Sequence, residues 1–140
     1  MSYNVFYDSN RNVVWSTNAD ISDETKTAEE GKGYTLITTD LTDIPQESTH
    51  YINSAKDTVV AKTAFDPTFS TINPDVDGVV NVTGVPAGTE VFLDGVSQGT
   101  MSDNTLTLTA TEPGTYEIKF KKLEKIDYKI TLRTGKQSWI

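Results

Sequence analysis

The sequence predicts a mostly β protein, with a small N-terminal β-rich (α+β) domain at residues 1–65, a linker at 66–77 and an antiparallel β-sandwich at 78–140. Three observations predict this order. The first 65 residues contain two runs of aromatic and β-branched residues interrupted by polar turns, which is typical of hairpins. The next segment contains Pro67 and Pro74 with few apolar residues. Beyond it, apolar and polar residues alternate, as in strands with one face in water.

The N-terminal domain is predicted to contain two hairpins, "YNVFYDSNRNVVWST" and "STHYINSAKDTVVAKTAF". Their turns, "DSNRNVV" and "NSAKDTVV", indicate either a degenerate internal repeat or a chance similarity. Between the hairpins, Ser22 can cap a helix that stops at Gly31, and the lack of an apolar face places this short helix on the surface. "YTLIT" then alternates as a strand would.

The second domain has the clearer strand pattern. Its inward positions are predicted to be the apolar residues of four alternating runs, namely Val80 and Val82, then Leu106, Leu108 and Ala110, then Tyr116, Ile118 and Phe120, then Tyr128, Ile130 and Leu132. In "VPAGTEVFLDGVSQGT" the chain turns at Pro86 to Gly88 and forms a short buried strand at residues 91–93. Asp94-Gly95 then supplies the positive φ of a tight hairpin.

Composition limits the classes of function. The 140 residues are 36% hydrophobic and include no Cys, so the core is thin and neither a disulfide nor a thiolate metal site is available. No run is long and apolar enough to span a bilayer, and "MSYNVFYDSN" lacks the order of a secretory signal, so we expect a protein made soluble in the cytoplasm with no membrane partner.

Charge argues against nucleic acid as a partner. Twenty acidic and twelve basic residues give a net charge of -8. Bases outnumber acids only in the last strands, which suits either head-to-tail packing of copies or a lysine-covered solvent face. A strip of lysines there could bind nucleic acid or an anionic glycan, but lysines on a solvent face also protect sheet edges from aggregation. The strip comprises Lys119, Lys121, Lys122, Lys125 and Lys129.

Neither a catalytic site nor a cofactor is predicted. His50 is the only histidine and has no nucleophile motif beside it. In "NPDVDG", Asn73, Asp75 and Asp77 match the opening ligand spacing of a calcium loop. However, Pro74 occupies the second position and Gly84 stands where a closing Glu belongs, so a turn accounts for the segment better than a metal site.

Three apolar residues are candidates for an interface with a neighbouring subunit. Trp15 lies in the first hairpin, while Trp139 and Ile140 follow the last predicted strand in "GKQSWI". Large apolar side chains of this kind act as interface anchors. For the last two, packing over the chain's own core is an equal alternative.

The C-terminal half resembles the small bacterial immunoglobulin-like modules of the PEGA type. The resemblance covers less than half of the chain and implies an immunoglobulin-like sandwich in which Pro86, Gly88, Asp94, Gly95, Gly99 and Gly114 serve structural turns. It is weak for function, because such modules are spacers and adhesive units. The residues that carry it are these six together with Val91, Tyr116, Ile118 and Phe120.

The N-terminal half, with "VFYD-turn-VVWS" followed by "YIN-turn-VV", is similar to small structural proteins of tailed bacteriophages. This resemblance implies a non-enzymatic virion component, most simply an adaptor of the tail or tail fibre. Its partners would be other virion proteins in multiple copies, and a host surface glycan is a further candidate. Two alternatives stay open. One is a capsid decoration protein, and the other is a bacterial adhesive or carbohydrate-binding module using Trp15, Tyr34 and Trp139.

Overall fold

The computed structural model of the chain describes residues 2–134. The chain divides into two compact units, Met1–Thr63 and Ala64–Ile140. The described residues form strands in antiparallel sheets and one short helix, so the predicted mostly β class is confirmed.

The first unit contains a three-stranded antiparallel sheet and a separate hairpin. In the sheet, β1 lies between β2 and β3, while β4 pairs with β5. Both predicted hairpins and the strand in "YTLIT" are therefore present. The elements are β1 (Ser2–Tyr7), β2 (Val13–Thr17), α1 (Asp23–Gly31), β3 (Thr35–Asp40), β4 (His50–Ile52) and β5 (Val59–Ala61).

The two hairpins of the first unit share one core. The Ile52 N–H donates to the Arg11 carbonyl at 3.0 Å, and Asn12 forms an isolated bridge with Tyr51, so the second hairpin is fixed to the turn of the first. On the opposite face of β1, the fully buried Phe6 stacks on Trp15 with ring centroids 4.9 Å apart. The shared core consists of Tyr3, Val5, Tyr7, Val13, Ile52 and Val59.

The helix α1 lies on the surface of the first unit. The Ser22 side chain accepts a hydrogen bond from the Thr25 N–H at 3.1 Å, and Asp23 and Glu24 occupy the first turn, where carboxylates favour the helix dipole. No residue of α1 is buried. The predicted cap, the end at Gly31 and the surface position of the helix are all confirmed.

Residues 64–134 of the second unit form seven strands in two sheets. One sheet has the order β10-β7-β6 and the other β12-β11-β8-β9, and all pairings are antiparallel. The strands are β6 (Thr68–Phe69), β7 (Val79–Thr83), β8 (Glu90–Leu93), β9 (Val96–Thr100), β10 (Thr105–Thr109), β11 (Gly114–Lys121) and β12 (Tyr128–Thr134).

The core of the second unit takes residues from both sheets, as a sandwich requires. Val80 and Val82 from β7 are buried together with Ile118 and Phe120 from β11. The alternation read from the sequence therefore identified the inward face correctly at these positions. Phe65, Val85, Val91, Met101 and Leu132 complete the buried cluster.

Residues 66–77, predicted to be a linker, lie within the second unit. Phe69 of β6 pairs with Val82 and stacks near Phe120, and Phe65 is 7% exposed in the core. The Arg133 N–H also donates to the Ile72 carbonyl at 3.0 Å. Pro67 immediately precedes the edge strand β6 and Pro74 lies between β6 and β7, so neither proline removes a hydrogen bond from the sheet.

Candidate interaction surfaces

The Asp94-Gly95 turn joins β8 to β9 by the tightest type of hairpin connection. Leu93 pairs with Val96, and the two central residues have φ angles of 49° and 84°. Positive φ at both positions defines a type I′ turn, whose twist matches that of the strands. The predicted positive φ at Gly95 is confirmed. A Cβ at Gly95 would meet no atom within 4 Å, so backbone conformation alone requires the glycine.

The same turn is fastened to β11. The Asp94 N–H donates to the Glu117 carbonyl, and Asp94 Oδ1 accepts from the Glu117 N–H, both at 2.8 Å. The Asp94 carboxylate thus accepts the hydrogen bond that a backbone carbonyl would accept if β8 were longer. The aspartate therefore has a structural role in addition to its compatibility with the turn.

The Pro86 to Gly88 turn is held from both sides. Thr89 donates through its N–H and its hydroxyl to the Pro86 carbonyl, at 3.3 Å and 2.7 Å, and the Gly88 N–H donates to the Met101 carbonyl at 2.9 Å. Gly88 has a φ of 89°, which a side chain would strain. Among the other predicted turn residues, Gly99 lies in β9 opposite Val91, next to a bulge, and Gly114 begins β11.

The start of β11 is anchored by Tyr116. Its hydroxyl donates to the Glu112 carbonyl at 2.8 Å, so a side chain at the beginning of the strand holds the preceding connection from β10. This is the geometry of a tyrosine corner in Greek-key sandwiches. The sequence predicts Tyr116 to be a strand residue and part of the resemblance to PEGA-type modules, but it does not predict this hydrogen bond.

The calcium-like segment forms a turn. The Gly78 N–H donates to the Asp75 carbonyl at 2.8 Å, and Asp77, with a φ of 63°, donates through its N–H to the Ala110 carbonyl. A Cβ at Gly78 would lie 2.8 Å from the Asp75 carbonyl oxygen, which explains the glycine. Asn73 instead donates through its N–H to the Thr71 hydroxyl. Across residues 2–134, no group of three or more His, Cys, Asp or Glu residues is arranged to hold a metal ion.

His50 contacts a neighbour in sequence. Its Nδ1 lies 2.7 Å from the Thr49 hydroxyl, which also lies 3.3 Å from the Gln46 carbonyl oxygen. Partial burial lowers the pKa of His50, while the negative charge of Asp43 acts in the opposite direction. These contacts stabilise the entry to β4.

Several lysines of the basic strip are engaged with neighbouring groups. Lys119 Nζ lies 3.5 Å from the Asp127 carboxylate and 5.4 Å from the Phe92 ring centroid. Lys122 forms an ion pair with Glu124, and Lys125 donates to the Ala64 carbonyl at 3.4 Å. These contacts favour the interpretation of the strip as a solvent-exposed sheet face.

The aromatic residues considered for binding occupy different environments. Trp15 is half-buried through its stacking on Phe6. Tyr34 borders a hollow between α1 and β3 that is also lined by Lys26, Glu30 and Leu36. Trp139 and Ile140 lie outside the described residues.

An apolar pocket of about 90 Å³ opens between the two sheets of the second unit. It lies where β12 ends and β11 begins, and its lining is mostly hydrocarbon. Leu93, Leu108 and Tyr116 are only partly buried there. The alternating sequence pattern predicts that these side chains point inward. It does not predict the pocket between them, because the pocket depends on how the two sheets pack. The main lining residues are Val80, Leu93, Leu108, Tyr116, Ile118 and Leu132.

Comparison with family models, curated proteins and solved structures finds no match to the chain. Within residues 2–134, no helix has the length and apolar character needed to cross a membrane.

Proposed function

We propose that the chain is a non-enzymatic structural component of a tailed bacteriophage virion, acting as an adaptor of the tail or tail fibre. The observation that carries the proposal is the division into two small β-rich units, each with its own buried core. The residues of the second unit that carry the resemblance to PEGA-type modules stabilise turns and strand ends. A protein whose characteristic residues have such structural roles is suited to assembly rather than to catalysis.

The second unit supports the proposed immunoglobulin-like module. Its first, second and fifth strands form one sheet, and its third, fourth, sixth and seventh form the other. A Greek-key sandwich distributes its strands in this way, and the Tyr116 hydroxyl bond to the Glu112 carbonyl fits the same architecture. The resemblance to PEGA-type modules at the turns agrees with this interpretation.

The first unit is proposed to dock on a neighbouring virion protein. The buried cluster that its two hairpins share is small, and partners stabilise a folded state to which they bind selectively. Val14 lies on the edge strand β2 with 39% of its surface exposed, and Trp15 lies beside it. Val14 provides the exposed apolar part of the proposed contact surface at this sheet edge.

Copy counting tests this function. Quantitative mass spectrometry of particles purified from the virus that encodes the chain should find a few copies per particle, as expected for a tail component. Hundreds of copies would instead support capsid decoration. Absence from purified particles, together with retention on a glycan array, would contradict the virion role and favour the adhesive or carbohydrate-binding alternative.

Val14→Ser tests the docking surface. We expect the variant to fold with nearly wild-type stability, because Val14 is exposed, but to be incorporated into particles less efficiently. The matched control is Val79→Ser in the second unit, since Val79 is also an exposed strand valine, at 51%. Equal incorporation of both variants would contradict docking through the first unit.

A further inference from the structure

We propose that the groove between the outer edges of β9 and β10 binds an extended segment of another protein, in which apolar residues alternate with lysine or arginine. The segment pairs with β10 and places its apolar side chains between the two sheets. This inference concerns the second unit alone and does not depend on the virion role.

The sandwich is joined by its own chain on one side and is open on the other. On the joined side, Phe69 of β6 stacks on Tyr128 of β12 with ring centroids 6.4 Å apart, and the Arg133 N–H reaches the Ile72 carbonyl at 3.0 Å. On the other side β9 and β10 are the last strands of their sheets, and no strand within residues 2–134 pairs with their outer edges. An unpaired edge is a template for a further strand.

A groove of about 380 Å³ lies between these two edges. Its lining is mostly apolar and includes Val91 and Ile118 from one sheet, Leu106 and Leu108 from the other, and Met101 between them. Leu106 and Leu108 are only partly buried, so apolar side chains that enter the groove would remove hydrocarbon from water. The flexible side chain of Met101 can adapt to such an occupant.

The pairing of β7 shows which of its backbone groups face β10. The Ser70 N–H donates to the Asn81 carbonyl at 2.9 Å, so Asn81 directs its backbone groups toward β6. Backbone groups alternate in direction along an antiparallel strand. Val80 and Val82, on either side of Asn81, therefore direct their N–H and carbonyl groups toward β10.

The outer edge of β10 consequently carries the backbone groups of alternate threonines. Leu108 and Leu106 lie opposite the two valines and bond to β7. The N–H and carbonyl groups of Thr107 and Thr109 therefore point away from β7. Both threonines line the groove. An extended segment that enters the groove can satisfy these groups with a ladder of hydrogen bonds, as in strand addition to a sheet edge.

The edge of β9 is less suited to pairing. The register between β8 and β9 shifts at Gln98, which has no partner on β8, and the adjacent Gly99 has a φ of 106°. Such a bulge turns an edge away from regular pairing. We therefore assign the hydrogen-bonded ladder to β10, while β9 forms the opposite wall of the groove.

Carboxylates lie at both ends of the groove. Asp103 is in the connection between β9 and β10, and Asp94 is in the turn that precedes β9. The Asp77 N–H donates to the carbonyl of Ala110, directly after β10. The lining residues that the structure describes are uncharged. The charges that flank the groove at these positions are therefore negative.

This distribution of charge specifies a basic occupant. Between Lys62 and Lys119, every charged residue of the chain is acidic. Lys122, which lies beside Gly88 near one end of β9, is paired with Glu124. Complementary charges favour encounter with a basic segment and disfavour an acidic one. Lysine or arginine at the positions that point away from the groove would supply this complementarity.

A second copy of the chain does not offer such a segment in a free form. Within residues 2–134, the edge strand that alternates apolar and basic residues is β12, with Lys129 and Arg133. Its Leu132 is buried and its Ile130 packs against the core of its own unit. The Arg133 N–H is also bonded within that unit. The occupant is therefore a segment of another protein.

Hydrogen exchange in the free full chain tests the state of the β10 edge. The amides of Thr107 and Thr109 should exchange about tenfold faster than those of Leu106 and Leu108, which bond to β7. Slow exchange of the threonine amides at every dilution would show that the same chain covers the edge. Slow exchange that is lost on dilution would show that a second copy covers it. Either result would overturn the proposal.

A synthetic peptide tests the chemistry of the partner. The probe is a short capped peptide in which valine alternates with lysine, and its matched control has glutamate in place of each lysine. At low salt the lysine peptide should shift the amide resonances of Thr107 and Thr109 and slow their exchange several-fold, and added salt should weaken its binding. The glutamate peptide should bind about tenfold more weakly. Equal binding of the two peptides, no binding of the lysine peptide, or shifts confined to another sheet edge would contradict the assignment.

A pair of substitutions locates the peptide. Thr109→Lys places a cation on the pairing edge and should weaken binding of the lysine peptide several-fold. Thr83→Lys is the matched control, because Thr83 is an exposed threonine of the same sheet on the central strand β7 and the change in net charge is equal. It should leave the affinity nearly unchanged. Thermal melting verifies that both variants are folded. Equal affinity of the two variants would show that the peptide does not use the β10 edge.

Discussion

Asp94 and Glu117 exchange two hydrogen bonds of 2.8 Å, one between their backbones and one from the Glu117 N–H to the Asp94 carboxylate. A single residue therefore serves as a turn residue for β8 and β9 and as an acceptor for β11. This double role explains why aspartate, and not merely any residue tolerant of positive φ, precedes Gly95.

Removing the Asp94 carboxylate should destabilise the second unit. Asp94→Ala leaves the Glu117 N–H without this acceptor and places alanine at positive φ, so we expect a loss of about 1 to 3 kcal/mol in the free energy of unfolding. Asp94→Asn keeps an oxygen acceptor and a residue that tolerates positive φ, and should lose less. Hydrogen exchange at the Glu117 amide gives the local measurement. Equal exchange in wild type and Asp94→Ala would contradict the structural role.

Gly95→Val should destabilise the second unit through backbone strain alone. The φ of 84° costs a β-branched residue about 1 to 3 kcal/mol, and no atom lies within 4 Å of the added Cβ. Gly31→Ala is the matched control, because its Cβ also enters open space while its helical backbone suits alanine. Thermal unfolding measures both variants. Full stability of Gly95→Val with loss of attachment to particles would identify the turn as a contact surface.

The boundary between the units can be tested with fragments. Because β6, Phe65 and the Ile72 carbonyl belong to the second unit, a fragment of residues 64–140 should fold cooperatively. A fragment of residues 78–140 lacks these contacts and should be less stable or unfolded. Amide dispersion in nuclear magnetic resonance spectra and thermal melting distinguish the two. Equal stability would restore residues 66–77 to the role of a linker.

His50 should give the first unit a small dependence on pH. Burial lowers its pKa in the folded state below the ordinary value of 6.5, so the unfolded chain binds the proton first as pH falls. Stability should therefore decrease as pH falls through about 6.5 toward the folded pKa and level off below it. Denaturant unfolding between about pH 8 and pH 5 measures the change, and His50→Gln should flatten it in this window. A gain in stability on acidification in this window, lost in His50→Gln, would show that the Asp43 charge dominates.

The strands with strict alternation could be predicted from the sequence, and residues joined through long-range packing could not. Val80, Val82, Ile118 and Phe120 lie at period-2 positions, and one buried face per sheet fixes their direction. The two-residue strand β6 is too short to show a period, so the pairing of Phe69 with Val82 left no local signal. The proline-rich composition of residues 66–77 therefore gave no indication that the segment contains the strand β6.

Local turn chemistry accounts for the similarity between the two hairpins of the first unit. The Arg11 N–H donates to the Asp8 carbonyl and the Lys56 N–H to the Asn53 carbonyl, both at 3.0 Å. Arg11 and Lys56 have φ angles of 67° and 60°. Asp8 and Asn53 thus occupy one equivalent turn position, and Arg11 and Lys56 occupy another. Because Asp and Asn side chains favour this geometry wherever it occurs, the similarity needs no common origin.

The residues considered for function could likewise be predicted where local conformation decides their role, and could not be predicted where long-range packing decides it. The turn positions from Pro86 to Gly99 could be assigned from sequence, because glycine and proline have local conformational meaning. The apolar pocket could not, since it depends on the separation of two sheets. The bond between Tyr116 and Glu112 also required the three-dimensional course of the chain, although a tyrosine at the start of a late strand is the signal that could have indicated it.

The surface position of α1 has a practical consequence for protein engineering. Because the helix buries no residue, the segment between Thr17 and Thr35 contributes little to the core of the first unit. The entropic cost of lengthening a connection grows only slowly with its length. A foreign epitope inserted there would be presented to solvent while the sheet β2-β1-β3 retained its pairing. The fold therefore provides a permissive position for peptide display.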